Sequence, residues 1–235
     1  MKYKGIFFDI GWTLMQPTRS WFLSDLFYKM APAENLNDAR IAEAMEKAMP
    51  ILDENHRMDT TEEEERQFYL FYQHLLNQLP ELQLGNRAAR LLAYDKVYNY
   101  KNYTFFPDVL PVLTQLKQHY RLGIISDTWP SAVGFLKDAG IYELFDHFTF
   151  SYQLGVFKPD PQMYQHAING LGLPAQETLF VDDCLECLQG AATAGITPIQ
   201  MLKKPGAENS PDIKAIRSLT ELNSWLLVRA HERGG

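Results

Sequence analysis

Only two cysteines, Cys184 and Cys187, occur in 235 residues. That is too few for a disulfide framework and fits a reducing compartment. No run approaches the ~20 apolar residues of a membrane span. The opening MKYKGIFFD meets an acid before a signal-peptide core could form. Basic surplus is missing too. The net charge is −7 and the pI is near 5.4, which argues against a broad nucleic-acid surface. Internal repeats and low-complexity tracts are absent. These lacks lead us to expect a cytoplasmic protein with no membrane or nucleic-acid partner. A small anionic substrate stays open, because a local lysine or a metal can reverse the field inside a cleft.

What is present suits a substantial core, with 46% hydrophobic and 13% aromatic residues. The length fits one large domain or a domain carrying an insert. Residues 3–9 read as a strand whose unbroken apolar character suits burial on both faces of a parallel sheet. The segment 17–103 differs, being rich in Leu, Met, Glu, Gln and Ala, and reads as four helices. In TTEEEERQFYLFYQHLLNQL, Thr60 and Thr61 are capping candidates with acids three residues on. Phe68, Phe71, Tyr72, Leu75, Leu76 and Leu79 form an apolar stripe at helical spacing. The acids Glu62 to Glu65 read as a helix N-terminus complementing its dipole rather than as a metal site. Trp21, Phe22, Phe27 and Tyr28 read as packing residues ahead of substrate contacts.

After Phe106 helices and strands alternate: a helix at 109–120, a strand at 121–126, a helix at 131–140 and a short strand near 145–151. A helix at 159–172, a strand at 178–183, a helix at 187–195 and a strand at 197–202 follow. Alternation of this kind implies right-handed crossovers and a parallel sheet. The expected fold is α/β: a Rossmann-like parallel sheet core formed by 1–16 and 104–235, with an all-helical cap, 17–103, inserted after the first strand.

Ligands of open α/β sheets bind beyond the carboxyl ends of the strands. The residues there are Asp9, Ser126 with Asp127, Lys158, and Asp182 with Asp183. Asp9 and Asp183 suit a hard cation such as Mg²⁺, which takes oxygen ligands. Lys158 supplies a fixed positive charge ahead of a helix start where Asp160 can cap and Pro161 can take the first helical position. Ser126 offers a hydroxyl to a phosphoryl oxygen. A carboxylate beside a metal and a phosphate can attack phosphorus, giving an aspartyl-phosphate.

These stretches, FFDIGWTL, GIISDT, GVFKPDPQMY and LFVDDCLECLQGAATAGI, resemble in order and spacing the four motifs of the haloacid dehalogenase superfamily. The resemblance implies an Asp nucleophile at Asp9, a phosphate contact at Ser126, a stabilising Lys158 and a Mg²⁺-binding acid at Asp183, with Asp182 and Thr13 supporting. It implies a helical cap and a small phosphorylated substrate. Asp127, next to Ser126, is a candidate substrate contact, and Trp12 reads equally as lining the substrate entrance or as packing beneath the cap. Family phosphatases read D-x-D-G-T in the first motif, and here Gly11 stands at the second acid. Gly11 keeps the backbone carbonyl that binds metal and lacks the group that protonates the leaving oxygen. General acid–base catalysis contributes ~10²–10⁴-fold, against total accelerations of up to ~10²¹ for phosphate monoesters. A slow or selective phosphatase is therefore expected. A non-catalytic relative that binds a phosphorylated ligand or a partner is the alternative. A metal-free dehalogenase is a third reading, against which the acid pair counts.

Asp127 reads as a cap for the turn that follows it, ahead of a substitute acid. Cys184 and Cys187 form a CxxC pair, a pattern of redox pairs and zinc half-sites. No second pair completes four zinc ligands, so tolerated variation is the plainer reading. His56, His74, His119, His147, His166 and His231 show no metal-ligand spacing and read as surface or satisfied structural residues. Lys203-Lys204-Pro205-Gly206 reads as a solvated turn. The physiological substrate and the oligomeric state have no signal in the sequence.

Overall fold

The computed structural model describes residues 2–32, 34, 36–54 and 56–231, the last three without their side chains. His231 therefore has its side chain outside the described residues. Two compact units divide the chain. The first comprises Met1–Gln16, Phe105–Thr128 and Leu136–Gly235, the second Pro17–Thr104 and Trp129–Phe135.

The first unit is built on β1 (Gly5–Phe8), β4 (Arg121–Ser126), β5 (His147–Phe150), β6 (Thr178–Asp182), β7 (Thr197–Met201) and β8 (Lys214–Ile216). They form one sheet in the order β5-β4-β1-β6-β7-β8, and every pairing is parallel. All four residues of β1 are buried, as expected for a central strand covered on both faces. Gly123 on β4 is a close-packing site: a Cβ there would stand 2.7 Å from the Phe7 ring. Helices α9 (Pro161–Leu171) and α10 (Leu185–Thr193) press Met163, Tyr164, Ala167, Leu171, Leu188 and Ala191 onto Phe7, Ile125 and Phe180. Helices α6 (Val109–Lys117) and α11 (Leu219–His231) pack on each other.

The register positions the site. Phe8 lies opposite Ile124 on one side and Val181 on the other. The Asp9 N–H donates to Val181 O at 2.9 Å. Asp9 thus emerges level with the carboxyl ends of β4 and β6.

Among the described residues the second unit contains α1 (Asp25–Met30), α2 (Asp38–Ala48), α3 (Pro50–Glu54), α4 (Thr61–Asn77) and α5 (Asn86–Tyr98). That is five helices rather than the four expected, and α1 and α3 are too short to show helical periodicity. The apolar stripe of α4 is buried in one cluster with Phe27, Leu52, Ala89 and Leu92. Thr60 caps α4 in a full capping box with Glu63. Its neighbour Glu64 departs from the expected solvated acid run. It is fully buried, and its carboxylate accepts the Ser131 N–H at 2.7 Å and the Ser131 hydroxyl at 2.6 Å. Trp129 joins the same unit, its ring 5.0 Å from Phe68 and 4.6 Å from His56.

Other departures are local. The first strand is Gly5–Phe8 rather than 3–9, and β6 ends at Asp182. Helix α10 begins at Leu185 rather than 187, because Cys184 acts as its N-cap. A ribbon of β2 (Met15–Pro17) and β3 (Tyr103–Phe105), the strand β8 and the helix α11 were not anticipated. The three strands have only three residues each, too short to display alternation.

Candidate active site

Lys158 lies between α8 (Ser151–Leu154) and α9, and three acids fix it in place. Its backbone N–H donates to Asp127 Oδ1 at 2.9 Å, while Nζ donates to Asp9 Oδ1 at 2.8 Å and to Asp182 Oδ2 at 2.7 Å. The Phe180 ring lies 5.3 Å from Nζ. Two residues on, Asp160 accepts the Gln162 N–H at 2.8 Å and Pro161 occupies the first helical position. This cap fixes where α9 begins and hence where the Lys158 turn ends.

The Lys158 side chain is 4% exposed. Burial alone would lower its pKa; the Asp182, Asp9 and Asp127 carboxylates outweigh burial and hold it well above the ordinary lysine value. Asp182 is engaged through both oxygens, Oδ2 with Lys158 and Oδ1 with the Cys184 N–H at 2.8 Å. Burial, reinforced by Asp9, pushes Asp183 up to about 6. Burial likewise pushes Asp127 up to about 6 against the pull of Lys158.

Asp9, Asp182 and Asp183 present carboxylate oxygens all within 4.8 Å of one another. Opposed ligands of an octahedral Mg²⁺ stand about 4.2 Å apart, so the acid cluster fits a hard divalent cation with modest closure. Because Asp182 is already held twice, Asp9 and Asp183 are the acids with oxygen to spare. The exposed Lys204 also reaches the cluster, its Nζ lying 3.9 Å from Asp183 Oδ2.

The first motif forms a tight loop. The Trp12 N–H donates to Met15 O at 2.7 Å and the Leu14 N–H to Ile10 O at 2.9 Å. Trp12 adopts φ 53°, the left-handed region where family phosphatases carry glycine. A bulky residue is held there at a cost of order 1–3 kcal/mol. Thr13 is fully buried, and its hydroxyl has no hydrogen-bond partner among the described residues. Ser126, the last residue of β4, is 2% exposed.

Several candidates behave differently from expectation. Asp127 was expected to cap the following turn; its hydrogen bond goes instead to Lys158, 31 residues away in sequence. Lys203 is no solvated lysine: its Nζ lies 3.1 Å from Asp108 Oδ1 and 3.7 Å from the centre of the Phe106 ring. His147 and His166 are satisfied structural histidines, as expected: Nε2 and Nδ1 lie 3.4 Å apart, and both contact the Thr149 hydroxyl. At the start of α10 the Cys187 N–H donates to Cys184 Sγ at 3.3 Å. A hydrogen bond between the two sulfurs lowers Cys184 to about 6 and raises Cys187.

The chain resembles known proteins in sequence and in fold. A glyceraldehyde 3-phosphate phosphatase of Methanopyrus kandleri is 30% identical over 48% of this chain and 50% of that protein. An (S)-2-haloacid dehalogenase of Burkholderia cepacia is 29% identical over 55% of this chain and 57% of that protein. The chain spans about half the length of these two relatives. A HAD phosphatase of Thermococcus onnurineus shares the fold, with TM-score 0.64, 23% identity, and coverage of 95% of this chain and 97% of that one. The haloacid dehalogenase-like hydrolase family matches residues 3–195. The chain belongs to that family of hydrolases.

Proposed function

We propose that the protein is a Mg²⁺-dependent phosphatase acting on a small phosphorylated metabolite, with Asp9 as nucleophile. The observation that carries this reading is the acid cluster. Asp9, Asp182 and Asp183 crowd their oxygens within 4.8 Å beside a single buried ammonium, Lys158. Three carboxylates facing the buried Lys158 and the exposed Lys204 leave an excess of negative charge that would repel an anionic substrate. A divalent cation balances it, and a metal-free attack on the carbon of a haloacid has no use for it. The phosphatase relative supports the same choice.

Bound at Asp9, Asp183 and the Gly11 carbonyl, Mg²⁺ would supply charge neutralisation at the phosphoryl oxygens. The protein's own groups do the rest. Lys158 orients Asp9 through Oδ1 and offsets charge on the phosphoryl group, and Ser126 donates to a phosphoryl oxygen. Asp9 forms a bond to phosphorus as the ester oxygen leaves. Water then adds to phosphorus and the Asp9–phosphorus bond breaks, releasing phosphate. Position 11 has no acid, so both proton transfers fall to water or substrate, and turnover is slow. Asp182 holds Lys158 rather than the reacting group. In this reading the second unit, Pro17–Thr104 with Trp129–Phe135, is the helical cap of a cytoplasmic enzyme.

The test is phosphate release from a panel of sugar phosphates, nucleotides and aryl phosphates, with and without Mg²⁺. Release that requires Mg²⁺ supports the proposal. Tight binding of a phosphorylated compound without turnover would mark a non-catalytic relative. Chloride release from 2-chloropropionate without metal would mark a dehalogenase.

A further inference from the structure

The CxxC pair at the start of α10 has a geometry that variation alone does not require. Cys184 is the N-cap and Cys187 the third residue of the helix, so both sulfurs share one face of the first turn. Cys184 Sγ accepts the Cys187 N–H at 3.3 Å, which holds the Cys184 sulfur over the first turn beside Cys187. Cysteines three residues apart in the first turn of a helix lie within the ~4.4–6.8 Å Cα separation that a disulfide tolerates, so side-chain rotation can bridge them. Exposure is unequal: Cys184 is half-buried, while Cys187 is buried with 5% of its surface accessible. An accessible sulfur at a helix N-terminus, backed by a sheltered one, is the arrangement of an attacking thiol with a resolving partner.

The location makes resolution valuable. Cys184 follows Asp183 directly, and its N–H holds Asp182 Oδ1 at 2.8 Å. Over-oxidation to a sulfinate would fix a negative charge beside the buried Asp182 and the half-buried Asp183, where like charge is costly. A disulfide to Cys187 is neutral and uses only side-chain atoms, so the Cys184 N–H bond to Asp182 survives.

We propose that Cys184 is a peroxide-reactive thiol and Cys187 its resolving partner, joined by a reversible intrachain disulfide that spares the acid-pair turn from irreversible oxidation. The oxidant is hydrogen peroxide or an organic hydroperoxide. Cys184 sulfur attacks a peroxide oxygen, the O–O bond breaks, and water or an alcohol leaves with the thiol proton, giving a sulfenic acid. Cys187 sulfur then attacks Cys184 sulfur, the S–O bond breaks, and water leaves with the second thiol proton. Two electrons pass from the thiol pair to the peroxide. A small thiol reverses the bond by two exchange steps.

The experiment treats the full-length protein with hydrogen peroxide in the presence of dimedone, which traps sulfenic acid, and maps the cysteine peptide by mass. The wild type is expected to lose two hydrogens in a dithiothreitol-reversible 184–187 link, with little trapping. Cys187→Ser is expected to trap dimedone at Cys184 and, without dimedone, to accumulate sulfinate. Cys184→Ser is expected to oxidise at least tenfold more slowly at Cys187. Wild-type protein that keeps both thiols, or that forms sulfinate at Cys184 as fast as Cys187→Ser, overturns the proposal. None of these readouts needs turnover, so they stand apart from the phosphatase test.

Discussion

Lys158 Nζ lies 2.8 Å from Asp9 Oδ1, joining residues 149 positions apart in sequence through a buried ion pair. The same ammonium holds Asp182 at 2.7 Å. Removing it leaves two buried carboxylates uncompensated, a change that typically costs about 3–5 kcal/mol. Lys158→Met is expected to lower the denaturant midpoint accordingly and to reduce turnover at least ~10²-fold. Added Mg²⁺ should recover part of the stability and none of the turnover. Unchanged turnover in a folded Lys158→Met protein would remove Lys158 from the mechanism.

Asp127 positions Lys158 through the backbone, and an amide can accept the same bond. Asp127→Asn is therefore expected to keep turnover within about threefold and to leave the pH profile unchanged. Asp127→Ala loses the acceptor and should lower turnover more. A fall in turnover as pH rises through the Asp127 pKa of about 6 that disappears in Asp127→Asn would show instead that this carboxyl replaces the missing acid.

Gly11→Asp restores a carboxyl at the position left empty in the first motif. Turnover on the best substrate should rise by ~10²-fold, the lower end of what general acid–base catalysis contributes. A purified Gly11→Asp protein with wild-type kinetics would mean that proton transfer does not limit the rate.

Glu64 ties α4 to Ser131 within the second unit, and burial raises its carboxyl from 4.5 to about 7 despite the Ser131 hydrogen bonds and the Lys96 charge. The folded state therefore holds the Glu64 proton where the unfolded chain releases it. Stability falls as pH rises through this window and levels off above about 7. The difference corresponds to at most about 3 kcal/mol. Glu64→Gln keeps an acceptor for the Ser131 N–H and removes the titration. It should match the wild type near pH 5 and melt higher near pH 8. His56, lowered to about 4 by burial, titrates alike in both proteins and cancels from the comparison. Parallel melting curves of stability against pH for the two proteins would refute this assignment.

The sheet core was legible because a buried parallel strand declares itself as a short apolar run, as residues 5–8 of β1, 122–125 of β4 and 179–181 of β6 do. The acids and the lysine were legible for a related reason: they stand at strand or helix boundaries, where topology predicts a site. What the sequence hid are relationships between distant residues. Nothing local tells Glu64 from Glu62, Glu63 and Glu65; its burial follows from Ser131, 67 residues later. The bond from Asp127 to the Lys158 backbone, the approach of Lys204 to Asp183 and the meeting of His147 with His166 are hidden in the same way. The short strands of the ribbon and the helices α1 and α3 escaped because three to six residues carry too few side chains to set a period.

The account's central claim is that Asp9 takes the phosphoryl group. With no carboxyl at position 11 to activate water, the phosphorylated enzyme should break down slowly and accumulate. The direct measurement is an acid quench of the Mg²⁺-loaded protein during turnover, followed by mass mapping of the Asp9 peptide. The account predicts a hydroxylamine-labile phosphoryl group on Asp9, absent from Asp9→Asn, which should also release no phosphate. Phosphate release by Asp9→Asn at the wild-type rate, with no phosphoryl group trapped on the wild type, would contradict it.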